Sequence, residues 1–417
     1  GTDLLARLPA YIQKRQLGSN CVLVADDNTW PLAGQQLTAI LQAAGITVLT
    51  CVLRRQGELE PDERACGEVL LTLQPETDFL VSVGSGSITD TTRLVAVRTG
   101  KPFVCVGTAP SMDGYTSVVA PLLLRGVKIH RAAVCPEIIV CDLDLLRTAP
   151  MAMVVSGVGD VLGKYIARTD WQIGQIINGE RYCTVCGDMV IDAVNRLLEH
   201  IPAIRQRSEQ GIRVLIEALL LAGVTIMVIG HTRAVASIEH NIVHYWDMMK
   251  LMEGQKQPTH GTAVGIATLQ VWPLYQRFAR EDLSQLNLEA IRARRMERTQ
   301  REWWLLNTYQ EEAAREIIRE NPEDFLTWTE QARRIGQAQA KHLELKAVID
   351  AMPPFEQVRQ AFLELGAPLQ PADLDIDTRL LNRSMHAAKD YRSRYSLFKL
   401  LDECGLLQDY LSDYPWL

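Results

Sequence analysis

Long hydrophobic runs, a disulfide framework and an excess of positive charge are all missing from this 417-residue sequence. The longest apolar run, Ala218 to Gly230 directly after Glu217, is too short to span a bilayer and suits a buried core helix, so no membrane insertion is expected. The nine cysteines are an odd, scattered set, several of them in apolar strand-like runs such as Phe103-Val104-Cys105-Val106. They read as small buried hydrophobes in a reducing compartment, which excludes a disulfide scaffold and makes the cytoplasm the expected location. Cys183 and Cys186 form a lone C-x-x-C without the second pair that a structural zinc site uses. No signal peptide, internal repeat or low-complexity segment is visible. A formal charge of −7 gives no overall attraction toward nucleic acid or an anionic membrane. The basic stretch from Arg292 to Arg301 is interrupted by Glu297 and followed by Glu302, Trp303 and Trp304, which is the pattern of a solvated helix face.

What is present is ample apolar material, 47% of the residues, enough for two sizeable cores. In the first part, short β-type runs (21–25, 46–52, 79–83, 103–107 and 138–141) alternate with helical patterns at 34–44, 63–73 and 88–98. That alternation predicts a parallel sheet with helices on its faces. From about Pro150 the strand signals stop, and 3.6-residue periodicity takes over at 158–177, 188–201, 211–229, 233–251 and 262–278. The expected fold is therefore an α/β N-terminal domain over 1–149, followed by an all-α C-terminal domain over 150–417.

Three groups of residues carry chemistry. Gly84-Ser85-Gly86-Ser87-Ile88-Thr89-Asp90 follows a strand and opens a helix, so its glycines let a backbone approach a pyrophosphate that the helix N-terminus then favours. It is not the G-x-G-x-x-G fingerprint, and a Gly-Ser turn without a ligand has equal standing. Asp26, with Asp27, ends the first strand, where a carboxylate can hold the ribose hydroxyls of a dinucleotide; a turn or N-cap aspartate is the plainer alternative. The third group is Asp160, one turn before Lys164, with His240 and His244 at i,i+4 on one helix face and His260 opening the next helix. Two neutral imidazoles and a carboxylate leave a coordination position open, as a catalytic divalent metal requires, although each histidine alone reads equally as a hydrogen-bonded core residue.

Together these segments resemble the group III iron-type alcohol dehydrogenase superfamily, which includes glycerol dehydrogenase, glycerol-1-phosphate dehydrogenase and dehydroquinate synthase. The closest likeness is to the bacterial glycerol-1-phosphate dehydrogenase branch. It covers nearly the whole chain, through Val24–Asn28, Gly84–Asp90, Thr108–Ser117, Gly159–Trp171, Ser237–His244, His260-Gly261 and Arg392–Ser396, with Asp113-Gly114 and Glu239-His240 the most specific parts. The resemblance implies a nucleotide-binding α/β domain, a helical metal- and substrate-binding domain, and an active site in the cleft between them.

Position by position, the resemblance implies Asp160, His240 and His260 as ligands of one divalent ion: zinc, nickel or iron. It implies Asp26 at the adenosine ribose, Gly84 to Ser87 with Asp90 at the pyrophosphate, and Thr108 and Ser111 lining the NAD(H) or NADP(H) site. Asp113 stands beside nicotinamide and substrate, and His244 near the reacting atoms. Asp160 completes the expected substrate contacts together with the cations Lys164 and Arg233, for each of which pairing with a helix-surface acid has equal standing with holding a substrate phosphate. The implied reaction interconverts dihydroxyacetone phosphate and sn-glycerol 1-phosphate, in a homo-oligomer. Alternatives are a polyol dehydrogenase without phosphate requirement, a dehydroquinate-synthase-like enzyme, or an inactive homologue. The chain departs from the superfamily pattern at Gly84-Ser85-Gly86-Ser87 (commonly Gly-Gly-Gly-Ser), at Thr232–Ile238, and at Thr262 (commonly Glu).

Overall fold

The computed structural model describes residues 1–124, 127–322 and 325–412. Each of its two compact units is discontinuous: Gly1–Val161 with Ala193–Gly230, and Leu162–Asp192 with His231–Leu417. A single cut near residue 149 does not describe this division, because the helices from 193 to 230 fold with the sheet.

In the first unit, five strands form one parallel sheet: β1 (Asn20–Asp26), β2 (Thr47–Leu53), β3 (Phe79–Gly84), β4 (Phe103–Gly107) and β7 (Ile138–Val140), in the order β2-β1-β3-β4-β7. β3 and β4 are buried at every position, as strands covered on both faces must be, which is why they read as unbroken apolar runs. The strand order reverses between β1 and β3, leaving a crevice beyond their carboxyl ends, the place where open α/β sheets bind ligands. Asp26 ends β1 and Gly84 ends β3, so both expected cofactor residues stand at that crevice.

Two further strands, β5 (Val119–Leu124) and β6 (Val127–Ala132), pair antiparallel and were not expected. Pro121 within Ala120-Pro121-Leu122-Leu123-Leu124 and the lack of alternation hide the strand signal. The apolar run at 218–230 is the second half of a longer helix, Glu209–Ile229, started by the Ser208 hydroxyl accepting from the Gly211 N–H at 3.1 Å. At 21 residues, with an 18-residue window of mean hydropathy 2.3, it is long and apolar enough to cross a membrane by composition, which corrects the length argument made from the run alone. Over half of that window (56%) is buried, as in a core helix, and Gly223 lets it close onto Thr116, whose hydroxyl oxygen occupies the space of a side chain there.

The second unit is helical, and among the described residues no strand follows Val140. The periodic stretch 158–177 is two helices, Met151–Leu162, which belongs to the first unit up to Val161, and Lys164–Asn178 in the second, parted at Gly163. A Cβ on Gly163 would lie 2.8 Å from Val264 and 3.4 Å from Glu239, so only glycine allows this approach. A buried polar knot organises the helices. Asp170 accepts from the Ser237 hydroxyl (2.6 Å), the Tyr275 hydroxyl (2.7 Å) and the Leu397 N–H (2.8 Å). Burial pushes its pKa up to about 6 against these opposing bonds.

Candidate functional site

At the sheet's carboxyl edge, the Gly86–Thr99 helix begins with no acidic residue in its first turn, and Ser85 at its N-cap makes no side-chain cap bond. Its first N–H groups are thus oriented for an anion. Ser85 Oγ instead meets Ser111 Oγ at 2.5 Å, so two expected cofactor residues from separate loops are joined. Thr108 continues from β4, its N–H donating to the Gly84 carbonyl at 3.1 Å. Asp26 uses Oδ1 locally, accepting from the N–H groups of Asn28 (3.0 Å) and Thr29 (2.7 Å). That is a turn role, and it fixes the carboxylate at the end of β1. Asp90 serves the scaffold: it faces Arg93 at 2.9 Å, and the fully buried Arg93 donates onward to the carbonyls of Gly114, Tyr115 and Val119.

The same unit fixes the 108–117 loop against the Met151–Leu162 helix. Ser156 Oγ donates to the Ser111 carbonyl at 2.9 Å, and the Asp113 N–H donates to Asp160 Oδ2 at 3.0 Å. Asp160 is fully buried, where a carboxylate must be held by hydrogen-bonding or charged partners. Gly157 makes this joint possible, since a Cβ there would fall well inside contact distance of the Pro110 carbonyl oxygen.

In the second unit, His240 and His260 face each other with ring centroids 5.4 Å apart, and His244 stacks on His260 at 6.0 Å. His240 sits one turn inside the Ile238–Met252 helix, and its Nδ1 meets Glu239 Oε1 at 2.7 Å, the bond that fixes the ring's orientation. Glu239 Oε1 also accepts the Ser237 N–H at 2.9 Å, so the carboxylate that aims the ring is itself held. Sequence reasoning quoted Glu239 without giving it this role; its adjacency to His240 was the available signal. Tyr391, stacked on His244 at 5.3 Å, was missed altogether, since nothing local connects it to that histidine.

The two expected substrate cations fare differently. Lys164 is buried in the first turn of its helix. Arg233 is committed elsewhere: Nε and Nη2 grip the Glu180 carboxylate at 2.7 and 2.9 Å, and Nη2 also reaches the carbonyls of Asp170 and Tyr395. That bidentate pair and its carbonyl contacts make Arg233 a brace for the helical core rather than a phosphate clamp.

The site thus consists of a helix N-terminus at the switch point of a parallel sheet, followed in the chain by helices bearing paired histidines. Residues 1–150 match the model of the family described as iron-containing alcohol dehydrogenase. Solved structures of low identity share the fold. The glycerol dehydrogenase of Schizosaccharomyces pombe has a TM-score of 0.62 at 16% identity, covering 99% of this chain and 88% of that one. The iron-containing alcohol dehydrogenase of Thermococcus thioreducens has 0.63 at 15%, covering 99% and 97%. A protein of Halalkalibacterium halodurans named glycerol-1-phosphate dehydrogenase is 32% identical over 406 residues, 97% of this chain and 91% of its own. One of Geobacillus thermodenitrificans with the same name is 30% identical over 405 residues, 96% of this chain and 91% of its own. The chain belongs to the glycerol-1-phosphate dehydrogenase family.

Proposed function

We propose that this chain is an NAD(P)-dependent oxidoreductase that interconverts dihydroxyacetone phosphate and sn-glycerol 1-phosphate. The observation that carries the reading is near-full-length similarity to relatives bearing that name, within a chain that keeps the expected metal-type donors Asp160, His240 and His260. One carboxylate and two imidazoles suit a divalent ion, and the Glu239–His240 bond supplies the orienting partner that ligating histidines use. Such an ion, when bound, supplies Lewis acidity toward the C2 oxygen of the substrate.

The chain's own residues bind and orient. The Gly84–Ser87 turn and the helix behind it receive the pyrophosphate, and Ser85 with Ser111 and Thr108 line the path toward Asp113 beside the nicotinamide and substrate. His244, stacked between Tyr391 and His260, is the residue we assign to moving the proton. Exposed Leu221, Val224 and Val228 on one face of the Glu209–Ile229 helix support a homo-oligomer.

The deciding assay follows NADH oxidation with dihydroxyacetone phosphate, dihydroxyacetone or buffer, with zinc, nickel or iron added, and then chiral analysis of the product. Formation of sn-glycerol 1-phosphate supports the reading, and the 3-phosphate enantiomer overturns it. Glu239→Ala should lower metal affinity roughly 10- to 100-fold by freeing the His240 ring; chelator competition checks this, and an unchanged affinity removes Glu239 from the site.

Asp26 favours NADH at least equally with NADPH, since its charge at the end of β1 suits ribose hydroxyls and repels a 2′-phosphate. Asp26→Gly should therefore narrow or reverse the ratio of kcat/KM for the two cofactors. A strong wild-type preference for NADPH that the variant leaves unaltered takes Asp26 away from the ribose.

A further inference from the structure

Arg394 carries a guanidinium that no carboxylate neutralises among the described residues. Its Nη1 donates to the Ala236 carbonyl at 2.9 Å and its Nη2 to Thr232 Oγ1, both uncharged acceptors. By contrast Arg93, Arg233, Arg301 and Arg334 are each paired with an acid: Asp90, Glu180, Asp390 and Glu403. The two cations that bear on Arg394 have acids of their own, Arg233 with Glu180 and Arg392 with Glu320 at 3.9 Å. Burial, then Arg392 and Arg233, hold its pKa down to about 10, with Glu239 and Glu180 acting in the opposite sense without forming an ion pair. The neighbouring His231 imidazole is likewise held below its ordinary value by burial and by both Arg394 and Arg233, against Glu180.

The place of this charge in the second unit matters as much as its sign. The Thr232–Ala236 segment that Arg394 grips leads directly into the Ile238–Met252 helix, and His240 lies four residues beyond Ala236. On the other side, Tyr391 stacks on His244, which stacks on His260, and Arg392 lies over the Tyr391 ring at 5.1 Å. The 391–394 segment therefore borders the histidines from within the same unit. A planar guanidinium held by neutral oxygens, with no carboxylate in ion-pair contact among the described residues, is completed by a dianion whose paired oxygens match its fork.

We propose that Arg394 binds the phosphate of a small phosphorylated ketone and sets the preference for that substrate over its unphosphorylated form. This rests on the oxidoreductase reading above and supplies the phosphate cation that Arg233, tied to Glu180, does not.

The test compares wild type, Arg394→Met and Arg394→Lys as metal-loaded full-length enzymes, each on dihydroxyacetone phosphate and on dihydroxyacetone. Inorganic phosphate is the inhibitor of dihydroxyacetone reduction. In Arg394→Met, KM for the phosphorylated ketone should rise and its kcat/KM fall on the order of 10- to 100-fold, the size of one charge-assisted contact. The ratio of efficiencies on the two ketones should fall with it, inhibition by inorganic phosphate should weaken in parallel, and Arg394→Lys should restore part of each.

An unchanged ratio, or an equal loss on both ketones that lysine does not rescue, makes Arg394 a brace for the 232–236 segment and overturns the proposal. If Arg394→Met does not fold, the ratio and the phosphate inhibition measured on Arg394→Lys decide in the same way. A wild-type enzyme that treats the two ketones equally defeats the phosphate reading of the function itself, before any variant is considered.

Discussion

Asp160→Ala should yield protein that folds but carries no metal and turns over at least about a thousandfold more slowly, because a lost Lewis acid removes several kcal/mol of transition-state stabilisation. Asp160 is fully buried, and its Oδ2 accepts the Asp113 N–H at 3.0 Å, so alanine also removes one structural bond. Asp160→Asn separates the two roles: an amide oxygen still accepts from Asp113, while the negative charge a divalent ion needs is gone. Elemental analysis should find close to one divalent ion per wild-type chain and little in either variant, with far-UV circular dichroism retained in the asparagine form. Full occupancy in Asp160→Ala would falsify the assignment of this residue as a ligand.

The second large effect is expected at a glycine in the helix that carries Asp160. Gly157→Ala places a methyl against the Pro110 carbonyl oxygen, and a backbone oxygen cannot swing aside as the end of a flexible side chain would. Overpacking of this kind costs roughly 1–3 kcal/mol. The Met151–Leu162 helix and the 108–117 loop must separate, straining the Ser156–Ser111 and Asp160–Asp113 bonds that cross the joint. A displacement near 1 Å at catalytic groups lowers activity on the order of a hundredfold, so kcat/KM should fall together with the denaturation midpoint. Gly67→Ala is the matched control, since a methyl there meets nothing within 4 Å in the Glu63–Thr72 helix. If Gly157→Ala keeps both the midpoint and the activity of wild type, the joint is not what positions Asp113.

Residue patterns alone predict the elements that matter most. Apolar β-branched runs such as Val22-Leu23-Val24 and Phe103-Val104-Cys105-Val106 become β1 and β4, and the helix after Gly84-Ser85-Gly86 starts at Gly86. These signals are legible because a buried parallel strand and a helix start are local demands, met by neighbours in the chain. The i,i+4 spacing of His240 and His244 puts both on one helix face for the same reason, and both rings meet His260. The pairing of β5 with β6 was not legible, because Pro121 suppresses the strand signal and only the partner strand reveals it.

What the sequence by itself determined is thus the parallel sheet, the place of the Gly84–Ser87 turn at its carboxyl edge, and the residue types proposed to hold a metal. Tertiary structure alone decided which cations remain available for an anion. Arg233 is neutralised by Glu180, 53 positions away, and bonded to the carbonyl of Tyr395, 162 positions away, whereas Arg394 donates to neutral oxygens among the described residues. The physical reason is that a strand or helix is stabilised by contacts between near neighbours in the chain, while the neutralisation of a buried charge depends on whichever side chains folding brings within a few ångströms, and no local pattern encodes that.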